Sequence, residues 1–214
     1  VIPKIIHQIW LGDQDIRPEP LMHTWRDKNP SWEHKVWTEE NMPVLRNQAQ
    51  FDAVDELAGK ADILRYELLF DEGGFFIDAD SECVTPLTED FVDNDCFCCW
   101  ENEITRTGLM ANGYLGASKN NDLMKTLILH IGNIPVEVLR NLPPKFAWQI
   151  LGPKLLTYFG QNYKDLTVYP SHYFIPKHYS GVDQSDKSPI YGKQYYMSTP
   201  QSKRSYEEFR SKKN

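Results

Sequence analysis

Cysteine is scarce in this chain of 214 residues: there are four, Cys83, Cys96, Cys98 and Cys99. They do not supply the two C-x-x-C pairs of a structural zinc site. Cys96-Phe97-Cys98-Cys99 reads instead as a buried strand of small apolar residues carrying reduced thiols, a pattern that fits a cytosolic chain. Long apolar runs are also missing, since none approaches the ~20 residues of a membrane span. Val1 to Ile6 is too short and too quickly polar for a secretory signal; without an initiator Met, it suggests trimming or a domain cut from a longer chain. Basic charge is in deficit, with 23 Lys and Arg against 30 Asp and Glu, a net charge of −7. That balance argues against nucleic acid or an anionic membrane surface as the partner. There is no internal repeat and no low-complexity tract.

The rest is ordinary for a globular domain, and the length suits one domain over 1–214. Ile2 to Trp10 reads as a first strand closed by Leu11-Gly12-Asp13. Pro20 to Lys28 reads as a helix stopped by Asn29-Pro30. His34 to Trp37 reads as a strand, and Asn41 to Phe51 as a helix capped by Asn41 with Pro43 in its first turn. Asp55 to Phe70 is the clearest helix, with Ala61, Leu64 and Leu68 on one face and Gly73-Gly74 past its end. Phe75-Phe76-Ile77 is wholly apolar, the mark of a buried central strand. Further strands are expected at 96–100, 113–117 and 166–169. Helices are expected at 122–131 and, interrupted by Gly152-Pro153, at 146–159. Residues 172–193 read as loop and 206–214 as a frayed tail. Alternating strands and helices make the class α/β, with a mixed or mostly parallel sheet.

Candidate chemistry begins with acidic pairs. Sixteen Asp give about one i, i+2 pair by chance on average composition, and the chain has three: Asp13/Asp15, Asp78/Asp80 and Asp93/Asp95. Only Asp78-Ala79-Asp80 directly follows a buried apolar strand, and ligands of open α/β sheets bind beyond the carboxyl ends of strands. Carboxylates held there repel each other unless something positive binds. Mg²⁺ or Mn²⁺ commonly takes one or two carboxylates plus substrate phosphates. A strand-end turn that merely caps the next segment is the bland alternative. Asp62 and Arg65, at i and i+3, share one face of the helix leading into that strand. On the spacing alone an ordinary surface ion pair is the better explanation, although Arg65 can instead hold a phosphate or a sugar hydroxyl with its fork. Trp10, at the end of the first strand, is placed to stack on a base or to anchor the core. His7 and His130 read as packed histidines, and His23 and His34 show no partner in the sequence.

Residues 2–12 (Ile2-Pro3-Lys4-Ile5-Ile6-His7-Gln8-Ile9-Trp10-Leu11-Gly12), 60–67 (Lys60-Ala61-Asp62-Ile63-Leu64-Arg65-Tyr66-Glu67) and 73–80 (Gly73-Gly74-Phe75-Phe76-Ile77-Asp78-Ala79-Asp80) closely resemble the DXD-containing glycosyltransferases of family 32. That group includes yeast Golgi mannosyltransferases, bacterial capsule enzymes and large-DNA-virus relatives. The resemblance is strong over residues 2–87 and weaker through Gly113, Leu151-Gly152-Pro153 and Tyr169-Pro170. It implies a GT-A fold with a mixed central sheet flanked by helices, and a nucleotide-sugar donor, UDP-sugar favoured and GDP-sugar possible. It also implies a glycan or glycoprotein acceptor and Mn²⁺ or Mg²⁺ as cofactor. Carried over, Trp10 stacks on the base, with Gln8 also in the substrate-binding set. Asp62 and Arg65 hold the donor sugar, Asn112-Gly113 face sugar or acceptor, Asp78 contacts ribose or sugar and helps the metal, and Asp80 ligates it. The family's His-His-x-x-x-Trp-like block is absent; His172, after Tyr169-Pro170, is the substitute candidate for metal or diphosphate.

Neutralising the departing diphosphate is the task of such a site, with Arg65, Lys177 or Lys193 available to assist. Retention of configuration is favoured by the resemblance, while Glu101 or Glu103 would be the base of an inverting route. The alternatives are a metal-dependent phosphohydrolase and a non-catalytic sugar-nucleotide-binding module. An anchorless, cysteine-poor chain is expected in the cytoplasm of a bacterium or a virus-infected cell, making a surface or capsid glycan.

Overall fold

A computed structural model describes residues 1–197 together with 207 and 211. In chain order the elements are β1 (Ile5–Ile9), α1 (Glu19–Lys28), β2 (Glu33–Trp37), α2 (Gln48–Ala53), α3 (Leu57–Glu72), β3 (Gly74–Ile77), β4 (Ser81–Cys83), β5 (Cys96–Asn102), β6 (Arg106–Ala117), α4 (Asp122–Gly132), α5 (Val136–Arg140), α6 (Ala147–Ile150), α7 (Pro153–Gly160), β7 (Leu166–Tyr169) and β8 (Gly192–Gln194). Six strands form one sheet in the order β2-β1-β3-β6-β5-β7, and β4 and β8 form a separate ribbon. β1 runs parallel to β2 and β3, and β7 parallel to β5, while β6 is antiparallel to both of its neighbours. The sheet is therefore mixed, as anticipated for the α/β class.

α3 is buried all round from Asp62 to Leu69, not along one stripe. A helix apolar on most sides belongs in the interior, and α3 packs against α4, α6, β3 and β6. Gly73 ends it at φ 68°, its N–H returning to the carbonyl of Leu69. That left-handed position suits glycine. It lets the chain turn directly into β3, whose four residues are all buried. His7 locks the corner: its Nε2 donates to Gly73 O at 2.8 Å and its Nδ1 accepts from Trp37 Nε1 at 3.1 Å. His7 is thus a packed strand histidine, whereas His130 is exposed on α4.

The other side of the sheet carries an aromatic cluster in which Phe75 meets Phe97 at 4.9 Å and Phe174 at 5.5 Å between ring centroids. All four cysteines are free and buried. Cys96 and Cys98 face one core and Cys99 the other, as neighbours in a strand covered on both sides do.

The expected helix from Asn41 to Phe51 is reduced to Gln48–Ala53. The carboxylate of Glu67 accepts from the backbone N–H groups of Arg46 and Asn47, holding the preceding segment open. Asn41 caps a turn, accepting from Thr38 N. β6 begins at Arg106, well before residue 113. The expected frayed tail, 206–214, lies outside the described residues apart from 207 and 211.

Candidate functional site

The aspartates of Asp78-Ala79-Asp80 stand where β3 runs out, at the floor of a cleft of about 1160 Å³. Asp78 lies close against β6. Its N–H donates to Gly113 O at 2.9 Å, and a Cβ on Gly113 would lie 2.3 Å from Asp78 Oδ2. Glycine at 113 is what lets that carboxylate lie against the strand.

Asp62 and Arg65 point from α3 into the same place. The Arg65 Nη2 is 3.2 Å from Asp62 Oδ1 and 3.7 Å from Asp78 Oδ1. Its Nη1 donates to Asn112 O at 2.6 Å, and the guanidinium carbon lies 4.1 Å from the Phe76 ring centroid. Asn112 Nδ2 donates to Asp62 Oδ1 at 2.8 Å and to Tyr66 Oη at 3.1 Å. Asp62 and Arg65 are each 5% exposed, so this is a buried network and not a surface ion pair. Arg65 Nε is buried with no hydrogen-bond partner among the described residues.

The electrostatics are one-sided. Among the described residues, eight carboxylates line the cleft against two guanidinium groups, those of Arg17 and Arg65. Burial, partly opposed by Arg65, pushes Asp62 up to about 6. Burial, joined by Asp78, also raises Asp80, and burial raises Asp78 itself. A raised carboxylate pKa means that the folded chain holds the proton more tightly than the unfolded one. That contribution is neutral below the unfolded pKa of 3.8 and becomes destabilising as pH rises through the folded value. Asp62→Asn is therefore expected to stabilise the chain by up to about 3 kcal/mol above pH 7. The gain shrinks as pH falls from about 6 towards 4. Urea denaturation at pH 8 and pH 4.5 measures the difference, and an equal effect at both would refute it.

The other sequence candidates divide. Trp10 is half-buried at the rim, with its Nε1 donating to Asp13 O at 2.8 Å. Asn112 and Gly113 line the cleft beside it. Gln8 does not line it: the side chain is fully buried on β1, behind the aspartates. Its Nε2 reaches Asp78 O at 3.4 Å and its Oε1 accepts from His34 Nε2 at 2.7 Å. His34 therefore has a partner, as does His23, which pairs with Glu19 at 2.9 Å. Burial, with Arg26 nearby, takes His34 down to about 4, so at neutral pH it supports Gln8 as an uncharged donor.

His172 is not brought to the cleft. It sits in a short helical turn at 171–173, edge-on to Tyr173 and subject to Lys187, Glu103 and Ser188. The turn is fixed there because Glu103 accepts from Ser171 N–H at 2.8 Å and also binds the Ser171 hydroxyl. That takes Glu103 away as a base, while Glu101 does line the cleft, held by His178 at 3.3 Å. Lys177 pairs with Asp183 at 3.0 Å and Lys193 lies over the Tyr195 ring; neither lines the cleft. Sequence reasoning missed Tyr114 and Gln194, which do. Tyr114 follows the singled-out Gly113, but Gln194 carries no local signal.

Residues 18–98 match the family described as "Glycosyltransferase sugar-binding region containing DXD motif". That stretch carries Asp62, Arg65, Asp78 and Asp80, and over it the chain is similar to the DXD-containing glycosyltransferases. Among similar proteins, the inositol phosphoceramide mannosyltransferase 3 of Schizosaccharomyces pombe is 26% identical over 171 residues, covering 74% of this chain and 42% of its own length. The initiation-specific alpha-1,6-mannosyltransferase of Candida albicans is 31% identical over 101 residues, 41% of this chain and 26% of that one. This DXD-containing chain thus spans less than half the length of these yeast relatives. Its fold matches that of the PaToxG glycosyltransferase with a TM-score of 0.59 at 17% identity, over 74% of this chain and 68% of that one. A glycosyltransferase involved in glycosylation of the major capsid of PBCV-1 gives 0.57 at 10% identity, over 95% and 98%. The fold is GT-A.

Proposed function

We propose that this chain is a metal-dependent glycosyltransferase that moves a hexose from a nucleoside-diphosphate sugar to a hydroxyl of a glycan or glycoprotein. The observation that carries this reading is the convergence of Asp62, Arg65 and Asp78 in one ionic cluster beside Asp80, in a cleft large enough for a nucleotide sugar.

The donor set fits a hard divalent cation. Each oxygen of the Asp80 carboxylate accepts one protein hydrogen bond and keeps a further lone pair. Mg²⁺ and Mn²⁺ need only one or two carboxylates when substrate phosphates complete the shell. An acidic cleft repels a bare diphosphate, so the cation also makes the binding charges add up. When bound, it would neutralise charge developing on the leaving diphosphate.

The chain's own groups do the rest. Asp80, with Asp78 beside it, holds the cation. Arg65 offsets Asp62 and Asp78 and keeps both carboxylates in place. Trp10 offers its indole face at the rim to a base, and Asn112 and Gly113 form the wall against which the sugar lies. Retention of configuration is the favoured outcome, and Glu101, not Glu103, is the carboxylate placed for an inverting route. UDP-hexoses remain the favoured donors and GDP-sugars the second choice, with mannose the sugar in the names of the yeast relatives. A product on a surface or capsid glycan is consistent with this reading. No helix of the described residues is long and apolar enough to cross a membrane.

A thermal-shift panel of UDP- and GDP-sugars with and without Mn²⁺ tests the reading. One donor is expected to raise the melting temperature by several degrees, only with the ion present. No shift with any donor would favour the phosphohydrolase or an unrelated ligand.

A further inference from the structure

Asp80 is held from the far end of the chain. β8 pairs with β4 so that Gln194 stands opposite Ser81, the residue after Asp80. Gln194 Nε2 donates to Asp80 Oδ1 at 2.8 Å, and Met197 N donates to Asp80 Oδ2 at 2.8 Å. Tyr195 N donates to the Asp80 carbonyl at 2.9 Å. Gln194 is itself oriented, because its Oε1 accepts from the Tyr114 hydroxyl at 2.6 Å. Tyr114 sits in β6 opposite Ile77 and stacks on Phe174 at 4.8 Å between centroids, so sheet register and ring packing fix its hydroxyl. With the amide oxygen engaged by that hydroxyl, only the NH₂ end can face the carboxylate.

We propose that Gln194 is a positioning residue for Asp80, oriented by Tyr114, and that this relay sets the affinity of the site for its divalent cation. The inference rests on the metal-dependent reading above. A carboxylate clamped at both oxygens keeps one orientation before the cation arrives, and its remaining lone pairs are presented as a fixed set. An unclamped Asp80 would lose rotational freedom on binding, which lowers affinity. Partners that orient a metal ligand commonly account for about 10- to 100-fold in affinity. A purely structural Gln194, tying β8 to the turn after β3, would change the stability of the metal-free chain and leave cation affinity alone.

Mn²⁺ titration in the presence of UDP, followed by the paramagnetic resonance of free Mn²⁺, separates the two. Wild type, Gln194→Ala and Tyr114→Phe are compared, with circular dichroism and the metal-free melting temperature of each. Gln194→Ala is expected to weaken Mn²⁺ binding by about 10-fold or more in a chain that still folds. Tyr114→Phe, which frees the amide without removing it, should weaken binding by a smaller factor. Should Gln194→Ala fail to fold, Tyr114→Phe decides alone. Folded variants that bind Mn²⁺ as tightly as wild type overturn the inference and leave the proposed function standing. A wild-type chain that binds no Mn²⁺ overturns the metal-dependent reading and this inference with it.

Discussion

Asp80→Asn should cost on the order of 10³-fold in turnover while the chain keeps its fold. The loss follows from where the carboxylate stands. It is the one aspartate of the pair that reaches neither Arg65 nor Asp62 and whose oxygens accept only neutral N–H donors, from Gln194 and Met197. Its negative charge is therefore not consumed by the protein. An amide at 80 still fills the space and accepts one of those two bonds, but it offers a divalent cation a weak ligand. Stability should barely change, because two effects oppose each other. One hydrogen bond is lost, worth about 1 kcal/mol, and a half-buried charge with a raised pKa is removed. Full turnover of the variant with donor and Mn²⁺ would mean that Asp80 is not the metal ligand.

Arg65→Ala is expected to act on stability first, by about 3–5 kcal/mol. The guanidinium is the single cation set between Asp62 and Asp78 at 3.2 and 3.7 Å, and its Nη1 satisfies the Asn112 carbonyl. Without it the buried carboxylate of Asp62 and the half-buried one of Asp78 face each other beside Asp80, and their pKa values rise further. An acid whose folded pKa is raised destabilises the chain at pH values above that pKa. The deficit should therefore be larger at pH 8 than at pH 5.5, the opposite of what loss of a simple packing contact gives. Arg65→Lys should recover little, since one ammonium cannot replace a planar fork engaged with Asn112, Asp62 and Asp78 together. Urea titrations of both variants at the two pH values measure this, and a pH-independent loss would rule out the electrostatic account.

Some of this was legible in the sequence because the signals were local. The run from Asp62 through Gly73-Gly74 to Asp78 is one helix, one turn and one strand, each marked by its own composition. Spacing put Asp62 and Arg65 on one face of the helix that leads to Asp78, and the resemblance carried the three to one site. Other features depend on partners far along the chain. Glu67, on α3, takes the amides of Arg46 and Asn47 and so cancels the helix that Asn41 and Pro43 suggested. β4 and β8 have three residues each, too few to show a period. Their pairing nevertheless delivers Gln194 to Asp80 across 114 positions. His172 looked apt by its place after Tyr169-Pro170, yet Glu103 fixes that turn away from the cleft. Gln8 shared a motif with Trp10, but β1 ends at Ile9, which leaves Gln8 inside the strand behind Asp78 and Trp10 past its end at the rim.

The central claim is that the cleft binds a nucleotide sugar through a divalent cation and breaks the sugar–phosphate bond. Release of nucleoside diphosphate from UDP-hexoses and GDP-mannose, measured with Mn²⁺ and again after chelation, tests it most directly. One donor should release its diphosphate with Mn²⁺ and stop on chelation, and Asp80→Asn should stay at background in both. Release that survives chelation, or equal release from Asp80→Asn, would contradict the account.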